Sequence, residues 1–122
     1  MDETVRTPLG ENFPSPTATH VREVVRRLVE AFDPLRIVVF GSYARGEARP
    51  GSDLDILVVL PSVDNTREAA IAMRHELADL AVPNDVVVTT PDEIKRRGWI
   101  IGTVLREALK DGSTVYERAE AE

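Results

Sequence analysis

The sequence predicts an α+β fold in which a small mixed β-sheet is covered by helices. Two patterns lead to this prediction. Segments with apolar residues at helical spacing alternate with short β-branched runs that are apolar throughout. Strands of the second kind are typically buried on both faces, which requires helices to cover the sheet. The length of 122 residues is that of one domain with one core and no second lobe.

The beginning of the chain predicts an arm followed by a helix. Residues 1–18 contain several proline, serine and threonine residues without periodicity, and we expect a flexible arm. The domain is expected over residues 19–117, and a frayed acidic tail over residues 118–122. The first helix begins at Thr19 and ends at Asp33, because the following proline disfavours a helical residue before it. Its apolar stripe consists of Val21, Val24, Val25, Leu28, Val29 and Phe32.

The middle of the chain predicts three strands and two helices. Apolar runs at residues 37–40 and 56–60 predict the first two strands, with a short helix over residues 42–46 between them. A second helix follows Asn65, whose spacing to a glutamate three residues later is that of a capping box. Its apolar stripe consists of Ala69, Met73, Leu77 and Leu80. Residues 83–89 predict the third strand.

The last third predicts a broken helical region and an edge strand. Thr90 and the proline after it are a strong helix start, and the helical region is expected to break near Gly98 and to end at Gly112 as its C-terminal cap. Residues 113–116 predict a short edge strand. Trp99 is expected in the core, with a partner interface as the alternative. The expected core-facing stripe is Ile101, Val104, Leu105 and Ala108.

Two carboxylates open the second strand. Because side chains on a strand alternate between its faces, Asp53 and Asp55 should project to the same side while Leu54 enters the core. Two neighbouring anions cost stability unless a cation balances them. Mg²⁺ prefers such oxygen ligands, usually one or two carboxylates together with water and phosphate oxygens. The pair therefore predicts a magnesium site.

A phosphate-binding turn is predicted directly after the first strand. Gly41 allows a sharp turn and the close approach of a phosphate, and Ser42 offers a hydroxyl at the start of the short helix. The free N–H groups of such a start bind anions. Arg45 either steadies phosphates or braces the loop against an acid, and Arg49 is expected to face solvent.

A third carboxylate, Asp85, opens the third strand. Apolar strands rarely begin with an acid unless something balances its charge, which favours a role at the site. An aspartate in a Pro-Asn-Asp turn can also serve the turn alone, and Asp79 on the preceding helix is a competitor. His75 lies off the apolar stripe of its helix and is expected at the surface.

Composition narrows the classes of function. The formal net charge of −6 argues against nonspecific binding of nucleic acid. The sequence has no cysteine, no apolar run near the length of a membrane span, and no basic-then-apolar signal segment at its start. We expect a cytoplasmic protein that contacts neither a membrane nor nucleic acid directly.

The stretch from residue 36 to residue 60 resembles a known signature. Gly-Ser, ten residues and then Asp-x-Asp is similar to the signature of the nucleotidyltransferase superfamily. In detail, GSYARG followed by SDLDILV resembles the minimal nucleotidyltransferase (MNT) proteins, MntA-like antitoxins that are encoded beside HEPN-domain ribonuclease toxins. The resemblance covers residues 19–117 and implies the palm core of polymerase-beta-like nucleotidyltransferases.

This resemblance implies a set of site residues. Asp53, Asp55 and Asp85 would be the catalytic residues and the ligands of one or two Mg²⁺ ions, with Asp85 matching the third acid of the family. Asp85 would also draw the proton from an acceptor hydroxyl that attacks the α-phosphorus of ATP and expels pyrophosphate. The implied nucleotide-binding residues are Gly41, Ser42 and Arg45.

The resemblance also implies a partner. MNT antitoxins transfer AMP from ATP to a tyrosine hydroxyl of a HEPN toxin, which silences its ribonuclease activity. Since the chain has room for one core only, we expect the acceptor groove to come from a partner or a second copy, in a hetero-oligomer with the toxin or a homo-oligomer. Two alternatives stay open: a binding-only antitoxin with a vestigial site, and a small-molecule nucleotidyltransferase similar to the aminoglycoside-modifying enzymes.

Overall fold

The computed structural model describes residues 15–119, which form an α+β fold of four helices and four strands over that range. The elements are α1 (Ala18–Phe32), β1 (Arg36–Phe40), β2 (Leu54–Val59), α2 (Thr66–Glu76), β3 (Asn84–Thr89), α3 (Pro91–Arg97), α4 (Val104–Asp111) and β4 (Ser113–Glu117). The predicted arm falls mostly on residues 1–14 and most of the predicted tail on residues 120–122, both outside the described residues.

The strands form one mixed sheet in the order β3-β2-β1-β4. β2 and β3 are parallel and are connected by the crossover helix α2, whereas β1 pairs antiparallel with both β2 and β4. The predicted mixed sheet and the edge position of the last strand are confirmed. The parallel pair matters for function, because it places the first residues of β2 and β3 at the same edge of the sheet.

Helices cover both faces of this sheet. On one face, α1 and α2 pack Leu28 and Met73 against a cluster that includes Ile56. On the other face, Ala108 of α4 packs with Val38 and Leu57. Successive residues of a strand thus enter different parts of the core, which confirms that the apolar strands are buried on both sides. Asp55 shares the face of Leu57, so it lies on the side covered by α4.

The helix boundaries follow the capping signals of the sequence. Thr17 caps α1 and accepts a hydrogen bond from the N–H of His20, so the helix begins one residue before the predicted Thr19. Asp33 ends it in the left-handed conformation (φ 50°). Asn65 and Thr90 cap α2 and α3 as predicted. Within residues 15–119, none of these helices combines the length and apolar character that crossing a membrane requires.

The loop between α3 and α4 contradicts part of the predicted core. Trp99 is 69% exposed, Ile101 84% and Val104 50%, so the expectation that they face the core was wrong. The helical region is interrupted over residues 98–103, and α4 starts anew with Thr103 as its N-cap. The interruption changes the phase of the apolar stripe, and the side chains that pack on the sheet are Leu105, Ala108 and Leu109.

Two predictions that involve glycines need correction. The predicted short helix over residues 42–46 is not formed: the segment is a hydrogen-bonded turn in which the Glu47 N–H donates to the Ser42 carbonyl (2.8 Å) and Gly46 has a φ of +75°. Gly112 does follow α4 as its cap, but in an extended conformation. A Cβ atom there would lie 2.4 Å from the Ala108 carbonyl oxygen, so close packing, and not a left-handed backbone, requires glycine.

Candidate active site

The register of the sheet brings the predicted acids together. Asp55 pairs with Phe40 at the end of β1 and with Asp85 at the start of the parallel strand β3. Residues that pair across neighbouring strands lie about 5 Å apart and project to the same face. Asp85 is therefore a neighbour of Asp55 on the α4 side of the sheet, although 30 positions separate them in the sequence.

An open cleft of about 440 Å³ lies at this edge of the sheet. All the site residues predicted from the sequence line it, namely Gly41, Ser42, Arg45, Asp53, Asp55 and Asp85. Val104 and Glu107 of α4 form part of its wall as well. The cleft thus has four carboxylates and a serine-containing turn around one space, a composition suited to a metal-bound phosphate group.

Gly41 and Asp55 are in close contact. Leu54 is 1% exposed in the core, and Asp55 on the opposite face is partly buried in the cleft, as the alternation along β2 predicts. Gly41 has a φ of +77°, and a Cβ atom on it would lie 2.1 Å from Oδ2 of Asp55. Glycine is therefore needed both for the left-handed backbone and for the space that the Asp55 carboxylate occupies.

The turn after β1 contributes Gly41, Ser42 and Arg45 to the lining of the cleft and leaves some backbone donors without a backbone acceptor. The Arg45 N–H donates to the Gly41 carbonyl (3.1 Å) and the Gly46 N–H to the Tyr43 carbonyl (3.0 Å). The N–H groups of residues 42–44 have no backbone acceptor among residues 15–119. Backbone N–H groups of a tight turn that lack a backbone acceptor can form a binding site for an anion.

Among residues 15–119, three of the four acids of the cleft, Asp53, Asp55 and Glu107, form no ion pair with a cationic side chain, whereas Asp85 pairs with Arg74. Burial raises the pKa of Asp55 above its usual range, and the charges of Asp53, Asp85 and Glu107 raise it further, while Arg45 opposes the shift. Arg45 is not free for this task, because its Nε donates to Glu47 Oε1 at 2.9 Å. Two roles were considered for Arg45, the binding of phosphates and the bracing of the loop against an acid. The contact with Glu47 supports the second role.

The donor set fits a hard divalent cation, with one qualification at Asp85. Asp53 and Asp55 supply oxygen ligands from one strand, and the raised pKa of Asp55 indicates a place where positive charge is stabilising. Within residues 15–119, no three acidic, histidine or cysteine side chains form a preassembled metal site. Oδ1 of Asp85 instead accepts a hydrogen bond from Arg74 at 2.6 Å. One of the two carboxylate oxygens of Asp85 is therefore engaged by Arg74.

Other candidates lie away from the cleft. Asp79, the competitor of Asp85, is bound by Arg27 of α1, which lowers the pKa of its carboxyl group. His75 and Arg49 are exposed, as predicted.

Glu107 and Arg74 were not found from the sequence. No local pattern marks them, because each reaches the site only through the packing of its helix on the sheet.

The fold and this cleft are those of a nucleotidyltransferase. Residues 21–115 match the sequence model of the nucleotidyltransferase domain, and the chain belongs to this family. Over 84 residues it is 34% identical to the protein adenylyltransferase MntA of Thermococcus cleftensis, covering 69% of this chain and 81% of that protein. The resemblance to the MNT proteins is thereby confirmed.

Further comparisons agree on the family and the fold. The chain is 36% identical over 64 residues to a bifunctional uridylyltransferase/uridylyl-removing enzyme of Streptomyces coelicolor, a match that covers 51% of this chain but only 8% of that enzyme. A crystal structure of a protein classed as a nucleotidyltransferase from Sulfolobus solfataricus superposes with a TM-score of 0.56 at 24% identity, covering 82% of this chain and 79% of that one. This likeness confirms the predicted polymerase-beta-like fold.

Proposed function

We propose that this chain is a Mg²⁺-dependent adenylyltransferase that transfers AMP from ATP to a tyrosine hydroxyl of a HEPN ribonuclease toxin and so acts as its antitoxin. One observation carries the proposal: Asp53, Asp55 and Asp85 share a single open cleft with the Gly41-Ser42 turn. The similarity to MntA, which is named a protein adenylyltransferase, supports AMP as the transferred group and a protein as the acceptor.

The residues of the cleft suit the steps of this reaction. Asp53 and Asp55 would hold Mg²⁺, with Asp85 as a further ligand, and the bound ion would supply positive charge to the entering and leaving oxygens. The N–H groups of residues 42–44 and the Ser42 hydroxyl would orient the β- and γ-phosphates. Asp85 would take up the proton of the tyrosine hydroxyl while the hydroxyl oxygen forms a bond to the α-phosphorus. The bond between that phosphorus and the bridging oxygen breaks, and pyrophosphate leaves.

Exposed apolar side chains beside the cleft support a protein acceptor. We use the name apolar patch for Trp99, Ile101 and Val104, which lie in and directly after the loop between α3 and α4. Val104 also lines the cleft, so the patch reaches the wall of the cleft through this residue, and an acceptor protein bound at the patch would be in contact with it. Exposed aromatic and aliphatic residues of this kind are typical of protein interfaces and have no evident use for a small polar acceptor.

Incubation of this protein with the product of a neighbouring gene as the proposed HEPN toxin, ATP and Mg²⁺ should add the mass of AMP to a tyrosine of that partner. Intact mass spectrometry measures the addition, and fragmentation assigns the tyrosine. Omission of Mg²⁺ should stop the reaction, since the acids of the cleft cannot hold the triphosphate without a cation. Toxin neutralisation without any mass addition would favour the binding-only reading. Modification of an aminoglycoside by this protein alone would favour the small-molecule reading.

Truncation of the apolar patch should slow modification of the partner. We expect the double variant Trp99→Ala and Ile101→Ala to lower the rate at limiting partner concentration by roughly tenfold, because it removes contact area that only a protein acceptor uses. Binding of a non-hydrolysable ATP analogue, measured by calorimetry, should not change. Ile71→Ala is the matched control, since Ile71 is 47% exposed on α2, a helix that contributes no residue to the apolar patch. Equal rates for all three proteins would exclude the patch from acceptor binding.

A further inference from the structure

An ion pair links α2 to the third acid of the cleft. Nη2 of Arg74 donates to Oδ1 of Asp85 at 2.6 Å, and the two side chains are 52% and 54% exposed. Arg74 directly follows Met73, whose side chain is fully buried in the core. The docking of α2 on the sheet therefore fixes the backbone from which Arg74 reaches Asp85.

This contact differs from the surroundings of the other acids of the cleft, because it pairs an acid with a cationic side chain. Four carboxylates line the space, those of Asp53, Asp55, Asp85 and Glu107. Among residues 15–119, the pair of Arg74 with Asp85 is the one ion pair that includes any of these four. Arg74 itself does not line the cleft, and Arg45, the cationic side chain that does, is bound to Glu47. Arg74 thus supplies the positive charge nearest to the place where a second metal ion would contact Asp85.

We propose that Arg74 is a positioning residue that occupies Asp85 in the metal-free protein and is displaced when a divalent cation binds. The inference rests on the metal-dependent function proposed above and adds a competitor for one of its ligands. An ion pair between half-exposed side chains is weak, so it keeps Asp85 neutralised without preventing a cation of higher charge from taking its place. Displacement of Arg74 would then free Oδ1 of Asp85 to serve as a metal ligand or proton acceptor.

Removal of Arg74 should therefore tighten metal binding. We expect Arg74→Ala to bind Mn²⁺ about two- to fivefold more tightly than the parent protein, the range that an exposed ion pair allows. The measurement is a titration in which electron paramagnetic resonance reports free Mn²⁺, without nucleotide or partner. Arg67→Ala is the control: it removes the same charge from the same helix, two turns and about 10 Å farther along its axis. Arg74→Lys, which keeps the charge but loses the planar guanidinium, should lie between the parent and Arg74→Ala.

A double-mutant cycle shows whether the effect passes through Asp85. In an Asp85→Asn background, Arg74→Ala should change Mn²⁺ affinity no more than Arg67→Ala does. The carboxylate for which Arg74 and the cation compete is then absent. Unchanged or weaker binding by Arg74→Ala, an undiminished effect in the Asp85→Asn background, or no Mn²⁺ binding by either the parent or Arg74→Ala would each overturn the inference. Because the assay contains no ATP and no acceptor, its failure leaves the transfer reaction to be judged separately by mass addition.

Discussion

The double variant Asp53→Asn and Asp55→Asn is expected to lose transfer of AMP by roughly a thousandfold or more, since even residues that only support metal ligands typically contribute ten- to a hundredfold. Both side chains line the cleft, and β2 has no other pair of acids at its start that could replace them as metal ligands. Asparagine keeps the size of the side chain but removes the negative charge that attracts Mg²⁺. The measurement is the initial rate at which the partner protein gains AMP, at saturating ATP and Mg²⁺.

This loss should occur without unfolding. The pKa of Asp55 is raised by burial and by the neighbouring acids, so its ionised form opposes folding and a neutral amide removes that cost. The metal-free double variant should therefore melt at the temperature of the parent protein or above it. Asp64→Asn, at an exposed position after β2, is the control for loss of a carboxylate elsewhere. Should the double variant neutralise the proposed toxin partner as well as the parent does, contact alone would explain the proposed antitoxin activity.

The parts of the site that sequence predicts best are those set by local geometry. Asp53 and Asp55 follow from the period-two alternation of a strand, and the burial of Leu54 between them agrees with it. Gly41 and Ser42 follow from the end of an apolar run. These features depend on neighbours within a few positions, so one sequence contains the information needed to place them.

The features that sequence missed depend on how distant elements pack. Glu107 enters the cleft because α4 covers one face of the sheet, and Arg74 reaches Asp85 because α2 returns the chain to the start of a parallel strand. The exposure of Ile101 and Trp99 has a related cause. A continuous helix would have turned the apolar residues of this region toward the core, but the break over residues 98–103 separates them from the phase of α4.

Gly41→Ala is expected to reduce transfer of AMP by roughly a hundredfold, the scale of loss that a displacement of about 1 Å causes in a catalytic site. The new Cβ atom would lie 2.1 Å from Oδ2, 3.0 Å from Cγ and 3.3 Å from Cβ of Asp55. Because the whole side chain is in the way, the carboxylate has to leave its position beside Asp53. The added methyl group also narrows the approach of a phosphate to the N–H groups of the turn.

Gly46→Ala separates this effect from backbone strain. Gly46 has nearly the same φ as Gly41 (+75° against +77°), yet a Cβ atom there meets no atom within 4 Å. Gly46→Ala should lose about 1–2 kcal/mol of unfolding free energy in urea, the cost of a left-handed alanine, and Gly41→Ala should lose at least as much because it also displaces Asp55. Gly46→Ala should nevertheless keep transfer within about threefold of the parent, because nothing displaces Asp55. Similar losses of activity in both variants would mean that the turn acts through its backbone conformation, and that the space which Gly41 leaves for the Asp55 carboxylate is not what the reaction requires.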